Sequence, residues 1–543
     1  MIKKCIQILS VSAAIAGALF LSSCSKAPSV VTYENPYDSP QEFMEGIYQA
    51  DHQVDPPSAF YKIRAVIVPH HLTATRSIAA GIRMLQHQSF KKILLISPDH
   101  FAKCPTLLCT TNSLYHTQFG TVKAVPSVVE QLATHAITTI QPDIFVEEHG
   151  IYAVLPYIAH YFPGIPVTPI ALSQNPWRTS SGALLEAIQE AVDPDTLLIV
   201  SSDFSHYLSL GKANVMDEET AEALFSKNLE GIAHLKNPSH SDCPNCLWAL
   251  ASLANKRGFY NPSVIFHTNS AVLLNNKSVQ STTSHFAMAW YQNATLSSAD
   301  LTVAGDVTMT RVIKTPKLST AMQTFWSGTG ARLVNLEGPL AEHCPANRTM
   351  FNFCNGLSLW KGMLGLATHW GIMNNHLLDQ HTQGIADTRR LMTENGETLV
   401  GDHMVDAGAY RFIALTALMN PVLDTPALNI AYQYHQVIQE LKNKDPSKMT
   451  VVLVHEGKEY RALTSDAENT YLQTFIDAGA DVVIAAHTHV VSDMTIYKGK
   501  PIFRGVGNFI FDQHDALVTS TGKAVRLRLQ KDGVLFESSV QKI

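Results

Sequence analysis

Apolar residues gather in short runs along most of the chain, and many of these runs end in polar residues able to bind a metal. Residues 63–69, 92–98, 167–172 and 196–201 are rich in Val, Ile and Leu, as expected of strands buried on both faces. Segments 183–192 and 218–229, between or after them, carry the period of amphipathic helices. Strands alternating with helices predict an α/β layer domain. The polar stretch 292–300 reads as a linker, after which the alternation restarts. Apolar runs follow at 301–306, 332–337, 450–455 and 480–486, and 428–441 is the clearest amphipathic helix. The pattern predicts two α/β domains, at 59–292 and 299–543, with no short-period repeat.

The first residues read as a processing segment. Lys3 and Lys4 precede an apolar run over 6–21, which fits a secretory signal and is short for a membrane span. It ends in Leu21-Ser22-Ser23-Cys24, which resembles a bacterial lipobox. By that resemblance residues 1–24 are a lipoprotein signal and Cys24 becomes the lipidated first residue. The chain would then be anchored to a bacterial membrane, facing the periplasm or the cell surface; a plain signal anchor is the competing reading. Residues 25–58 are polar and carry Pro28, Pro36, Pro40, Pro56 and Pro57, which predicts a tether.

A length of 543 residues exceeds what one core serves, and 46% apolar with 16% charged residues describes a folded protein. The net charge of −6, with Lys and Arg scattered, leaves no basic stripe for nucleic acid. Export changes how the cysteines read. Of the eight, Cys5 and Cys24 belong to the leader, and the others form close pairs: Cys104 with Cys109, Cys243 with Cys246, Cys344 with Cys354. Local disulfides are expected in an oxidising compartment; a zinc site lacks two pairs at finger-like spacing.

The chemistry sits at strand exits. In the first domain these carry His70-His71, Asp99-His100 and Asp203-Phe204-Ser205-His206, while Glu147-Glu148-His149 opens a helical segment. Ligands of open α/β sheets gather outside the carboxyl ends of strands, so these residues can converge. Across about 60–292 the pattern resembles the AmmeMemoRadiSam system protein B, or Memo-like, family, which is related to extradiol ring-cleaving dioxygenases. The resemblance implies one iron, copper or zinc ion facing His70, His100 and His206, with Asp203 and His149 nearby. Two positions depart from the family: His71-Leu72 replaces Ala-Gly, and Asp242 stands where the late cysteine is expected, beside Cys243. A carboxylate beside histidines is a set that suits iron(II).

In the second domain the run 480–486 empties into His487-Thr488-His489, and residues two apart on an extended segment face one side. Asp306, Glu337, Asn374-Asn375-His376 and His455 close or follow other runs. The ordered motifs resemble the CapA family of poly-γ-glutamate synthesis proteins, within the calcineurin-like metallophosphoesterases. They are Ala304-Gly305-Asp306-Val307, Asn335-Leu336-Glu337-Gly338-Pro339-Leu340, Asn374 to Asp379, His455-Glu456-Gly457, His487-Thr488-His489-Val490 and Gly507 to Asp512. The resemblance implies an αββα domain holding two divalent ions, Mn, Fe or Zn. Glu337 would lie between them, with Asp306 and His489 on one ion and Asn375, His455 and His487 on the other. His376 would reach the scissile group. Thr308 stands where ordinary metallophosphoesterases carry a histidine, as is general in the CapA branch, and Glu456 stands where the family commonly has Trp.

Three functions compete at this point: a hydrolase of a phosphoester or anionic envelope polymer, a non-hydrolytic factor for making or exporting a capsule polymer such as poly-γ-glutamate, and a redox protein led by the Memo-like domain.

Overall fold

The computed structural model describes residues 30–542 except 38, 175–176, 297–298, 311–317, 328, 347–350, 402, 421–424, 427–429 and 512–518. The signal segment, Cys24 and Asp512 lie outside the described residues.

Four parallel strands form the centre of the first sheet, in the order Ile63–Val68, Thr196–Ser201, Lys92–Pro98, Val167–Leu172. They are the four apolar runs read from the sequence. Thr282–Tyr291 lies antiparallel to the first strand and Leu108–Thr110 antiparallel to the last. Both faces are covered, which explains why the central strands lack polar alternation. Val66, Val68, Leu95 and Ile199 share a cluster with Phe43, Ile47 and Ile78. Ile67, Ile96, Leu198 and Val200 share the other with Leu184, Ile188, Leu247 and Leu250.

The expected tether over 25–58 is corrected from residue 31 onward. Val31–Glu34 pairs in parallel with Ser113–Thr117, and Pro40–Gln53 is a helix that buries Phe43, Ile47 and Ala50. Pro40 stands in the first turn, where a missing N–H costs nothing, and the Ser39 hydroxyl caps the Gln41 N–H at 3.3 Å. The prolines punctuate a folded segment here.

The second domain is a sandwich of two sheets. One runs Thr398–Val400, His369–Gly371, Thr329–Leu336, Ala299–Val307, Thr521–Gln530, Gly533–Lys542. The other runs Val405–Ala407, Tyr410–Thr416, Met449–His455, Val482–Ala486, Lys500–Phe503, Met494–Tyr497. Leu301, Val303 and Leu333 of one sheet share a core with Phe412, Val451, Leu453 and Ile484 of the other. Helices supply the outer layers, through Met322, Trp326, Leu391 and Met392 on one side and Val437, Leu441, Leu472 and Phe475 on the other. The whole is an αββα arrangement.

The core of the first domain continues into the second, because Ala462, Val490 and Val491 belong to the cluster that holds Phe286, Met288 and Trp290. Disulfides join Cys104 to Cys109, Cys243 to Cys246 and Cys344 to Cys354. Among the described residues no helix is long and apolar enough to cross a membrane.

Candidate metal centres

In the first domain, strand ends carry His70, His100 and Asp203 together with His149, at the start of a helix, and Asp242, just before another. His70 Nε2 lies 3.1 Å from Asp242 Oδ2 and 3.5 Å from Asp203 Oδ2, and His100 Nε2 lies 3.7 Å from Asp242 Oδ2. The far side of each ring is held. The Ser201 hydroxyl donates to the Gly150 carbonyl at 2.7 Å, so it accepts from His70 Nδ1–H at 3.1 Å. Glu148 accepts from His100 Nδ1–H at 2.6 Å. Fixing Nδ1 as the donor aims both Nε2 atoms at the carboxylates, the arrangement by which a second layer orients metal-binding histidines.

Asp242 is steadied in turn by the Ser202 hydroxyl at 2.8 Å and the Asp203 N–H at 3.2 Å. Burial works against charge on His100, but its bonds to Asp242 and Glu148 prevail and hold it up at about 10. Burial, then the charges of His100 and His70, push His149 down to about 4. A cation on the Nε2 face could replace the protons that the carboxylates otherwise demand.

His206, expected in this set, is not brought into either group of close ligand atoms. The chain enters the edge strand His206–Leu208 there, and the ring's Nδ1 lies 2.5 Å from the Phe204 carbonyl, tied to its own backbone. A residue the sequence reading missed is His285, fully buried with Nδ1 at 2.8 Å from Asp203 Oδ1. Its only sequence signal is a histidine inside the apolar run 282–291.

In the second domain Asp306, Glu337, Asn375, His376, His455, His487 and His489 all meet where strands of the two sheets end. Glu337 is central. Its Oε1 lies 3.8 Å from His376 Nε2, 3.8 Å from His455 Nε2 and 3.9 Å from His489 Nε2. It also groups with His487 and His489 as close ligand atoms. Asp306 Oδ2 lies 3.6 Å from His489 Nδ1, and Asn375 Oδ1 lies 2.9 Å from His455 Nε2. Asn335 links the two sides, its Nδ2 at 2.8 Å from Asp306 Oδ1 and 3.1 Å from His455 Nδ1.

The electrostatics fit divalent ions. Burial pushes Asp306 up to about 7, although Asn335 and the His487 N–H bond to it. Burial, then the neighbouring His489 and His376, push His487 down to about 3; burial and neighbouring imidazoles hold His455 well below its usual range. His455 and His487 are thus held neutral beside Asp306, whose anion burial disfavours. His487 Nδ1 is buried with no hydrogen-bond partner among the described residues. Carboxylate, amide oxygen and imidazole are donors that Mn, Fe or Zn accept. His487 and His489 take left-handed backbone, φ 94° and 57°, an uncommon and costly conformation found where function fixes it.

His376 stands beside this set. Its Nδ1 lies 2.7 Å from Asp379 Oδ2, and its ring stacks on Phe353 at 3.9 Å. Thr308 is buried and donates to Asn355 Oδ1 at 3.1 Å, so it is built into the wall. Glu456 is buried beside His455, and burial, then Glu468, push it up to about 8.

Residues 31–270 match the family model for Memo-like protein. Residues 414–513 match that for "Bacterial capsule synthesis protein PGA_cap". The chain thus carries a Memo-like and a CapA-like domain. It is 24% identical over 198 residues to "MEMO1 family protein" of Caldivirga maquilingensis, covering 34% of this chain and 70% of that protein. It is 26% identical over 177 residues to "PGA biosynthesis protein CapA" of Bacillus subtilis, covering 30% of this chain and 46% of that one. It is 40% identical over 76 residues to "Capsule biosynthesis protein CapA" of Bacillus anthracis, covering 13% and 18%. The chain therefore spans less than half the length of these two CapA relatives.

Proposed function

We propose that this protein is a metal-dependent hydrolase of the cell envelope, whose CapA-like domain cleaves a phosphoester or an anionic surface polymer, and whose Memo-like domain holds a further metal ion. The observation that carries the reading is the position of Glu337, about equally far from the Nε2 atoms of three imidazoles at strand exits. A carboxylate so placed can bridge two cations. Asp306 and His489 would hold one ion, and Asn375, His455 and His487 the other. When bound, such ions polarise the scissile group and lower the pKa of water. His376, its Nδ1–H held by Asp379 and its ring backed by Phe353, would as the imidazolium give a proton from Nε2 to the leaving group. In the first domain His70, His100 and Asp242 would hold one iron, copper or zinc ion, with His149 and Asp203 beside it.

An envelope location is supported by the lipobox-like Leu21–Cys24 stretch and by the capsule named in the titles of the CapA relatives. Those titles also favour a second reading, in which the domain handles poly-γ-glutamate without cleaving it. The test uses the full chain loaded with Mn, Fe or Zn. Glu337→Gln is expected to lose metal and activity together. His376→Ala is expected to keep the metal and lose roughly 10²–10⁴-fold in turnover. A wild-type chain that binds fewer than two ions in the second domain, and cleaves neither a generic phosphodiester nor poly-γ-glutamate, hands the case to the second reading.

A further inference from the structure

The segment that follows His455 runs across the second metal centre before entering the helix Asp466–Ala478. Within it Glu459 Oε1 lies 4.0 Å from His487 Nε2, and the Tyr460 ring lies 5.9 Å from that of His489. The Tyr460 N–H donates to the carbonyl of Thr488, the residue between those two histidines, at 2.9 Å. Residues 456–463 therefore form a lip against the ligand loop.

The lip is held from outside its own domain. Glu218, on the helix Leu210–Phe225 of the first domain, accepts from the N–H groups of Ala462 at 3.0 Å and Leu463 at 3.2 Å through one carboxylate oxygen. Its other oxygen lies 3.8 Å from Arg461 Nη1. The Glu218 helix is itself anchored next to the first centre. Asp217 is fully buried, accepts from the Ser205 hydroxyl at 2.8 Å and lies 2.8 Å from His267 Nε2. Ser205 sits in the loop between Asp203 and His206. On the far side of the ligand loop, Val490 and Val491 are packed into the first domain's core.

We propose that Glu218 is a positioning residue through which the first domain fixes the lip of the second domain's site, so that the two domains act as one catalytic unit. This rests on the hydrolase reading for its effect on substrate, and on the contacts alone for its effect on the lip. Two N–H groups on one carboxylate form strong, directional, charge-assisted bonds. Their loss leaves the lip held by fewer bonds, chiefly the Glu456 N–H to the Ala486 carbonyl, the Tyr460 N–H to the Thr488 carbonyl and the Ser492 hydroxyl to the Ala462 carbonyl, a condition for local opening. Asp217 and Ser205 connect the first centre's loop to the Glu218 helix, and the variants below measure how far that helix holds the lip.

The experiment compares wild type, Glu218→Ala and Glu218→Gln in the full, metal-loaded chain. Glutamine keeps an acceptor oxygen for the two N–H groups; alanine does not. Deuterium exchange over 456–465 is expected to quicken at least tenfold in Glu218→Ala and to return most of the way to wild type in Glu218→Gln. With bis(p-nitrophenyl) phosphate as probe, Glu218→Ala is expected to raise KM about fivefold or more, with kcat and bound metal within twofold of wild type and Glu218→Gln in between. Unchanged exchange in Glu218→Ala overturns the clamp. Quickened exchange with unchanged KM overturns its role in positioning. A wild-type chain inactive on the probe removes the hydrolase reading, while the exchange result alone still upholds or overturns the clamp.

Discussion

Asp379 receives three donors: His376 Nδ1–H at 2.7 Å, the Phe353 N–H at 2.5 Å and Asn420 Nδ2 at 2.8 Å. Asn420 also donates to the Asn375 carbonyl at 2.8 Å, so this carboxylate ties His376 to a candidate ligand's backbone. Asparagine at 379 would turn an amide donor toward donors and release the tautomer that leaves His376 Nε2 facing Glu337. Asp379→Asn is therefore expected to retain metal, measured by elemental analysis, while losing roughly 10–100-fold in turnover. Full turnover in that variant would remove Asp379 from the site's support. At this scale the sequence was legible where chemistry follows local geometry. His487 and His489 could be read because an apolar run empties into them, although both take left-handed backbone beyond the strand's end instead of the extended chain expected there, and Asp306 and Glu337 because they terminate apolar runs. Asp379 lies within the motif 374–379, three residues from the His376 it orients, so that pairing is local. His285 leaves no such signal, because its partner Asp203 is brought up by tertiary folding. His206, also at a strand exit, has its ring tied to the Phe204 carbonyl and stands outside the groups of close ligand atoms.

The strand Ala299–Val307 carries Asp306 between Asn335 of Thr329–Leu336 and Asn508 of the short strand Asn508–Ile510, and the neighbouring Gly305 has no room for a side chain. A Cβ there would stand 1.8 Å from the carbonyl oxygen of Gly507, a backbone atom that cannot rotate away. Gly507 has φ 65°, so its own conformation suits glycine, and it leads into Asn508, whose Oδ1 lies 2.9 Å from His489 Nδ1. Gly305→Ala is expected to cost about 1–3 kcal/mol, typical of overpacking. Because the displaced element carries Asn508, metal affinity should fall with it. A denaturant melt and a metal titration check both, and an undisturbed melt would show that the Gly507 backbone yields freely. Elements were legible in the sequence at 63–68, 92–98, 167–172, 196–201 and 482–486, where an apolar run meets a turn. The helix Pro40–Gln53 was not. Phe43, Ile47 and Ala50 keep helical spacing, but five nearby prolines outweighed them, although Pro40 is placed where a helix begins.

Seen whole, the molecule has ionisable groups buried where its domains meet. Asp493 of the second domain accepts the Val264 N–H of the first at 2.6 Å and pairs with Arg504 at 3.0 Å. Lys523 is buried beside them and donates to the Ser492 carbonyl at 2.6 Å. Burial pushes Lys523 down to about 7; Asp493 opposes this and Lys227 of the first domain adds to it. This seam was invisible in the sequence, since no pattern in 492–523 announces a partner near residues 227 and 264. It has a consequence for pH. Lys523 binds its proton more weakly when folded than when unfolded, so between the unfolded value near 10.5 and the folded value near 7 the unfolded chain holds more protons. Its contribution to stability therefore rises as pH climbs through that window and is lowest at and below its bottom. Lys523→Met removes the titration and keeps most of the stem's packing. Relative to wild type, the variant should be most favoured near pH 7 and lose that advantage as pH approaches 10.5. Because the other titrating groups are common to both chains, the difference between their denaturant midpoints isolates Lys523. A difference that does not change with pH would mean that Lys523 keeps an ordinary proton affinity, and that water reaches the seam between the domains.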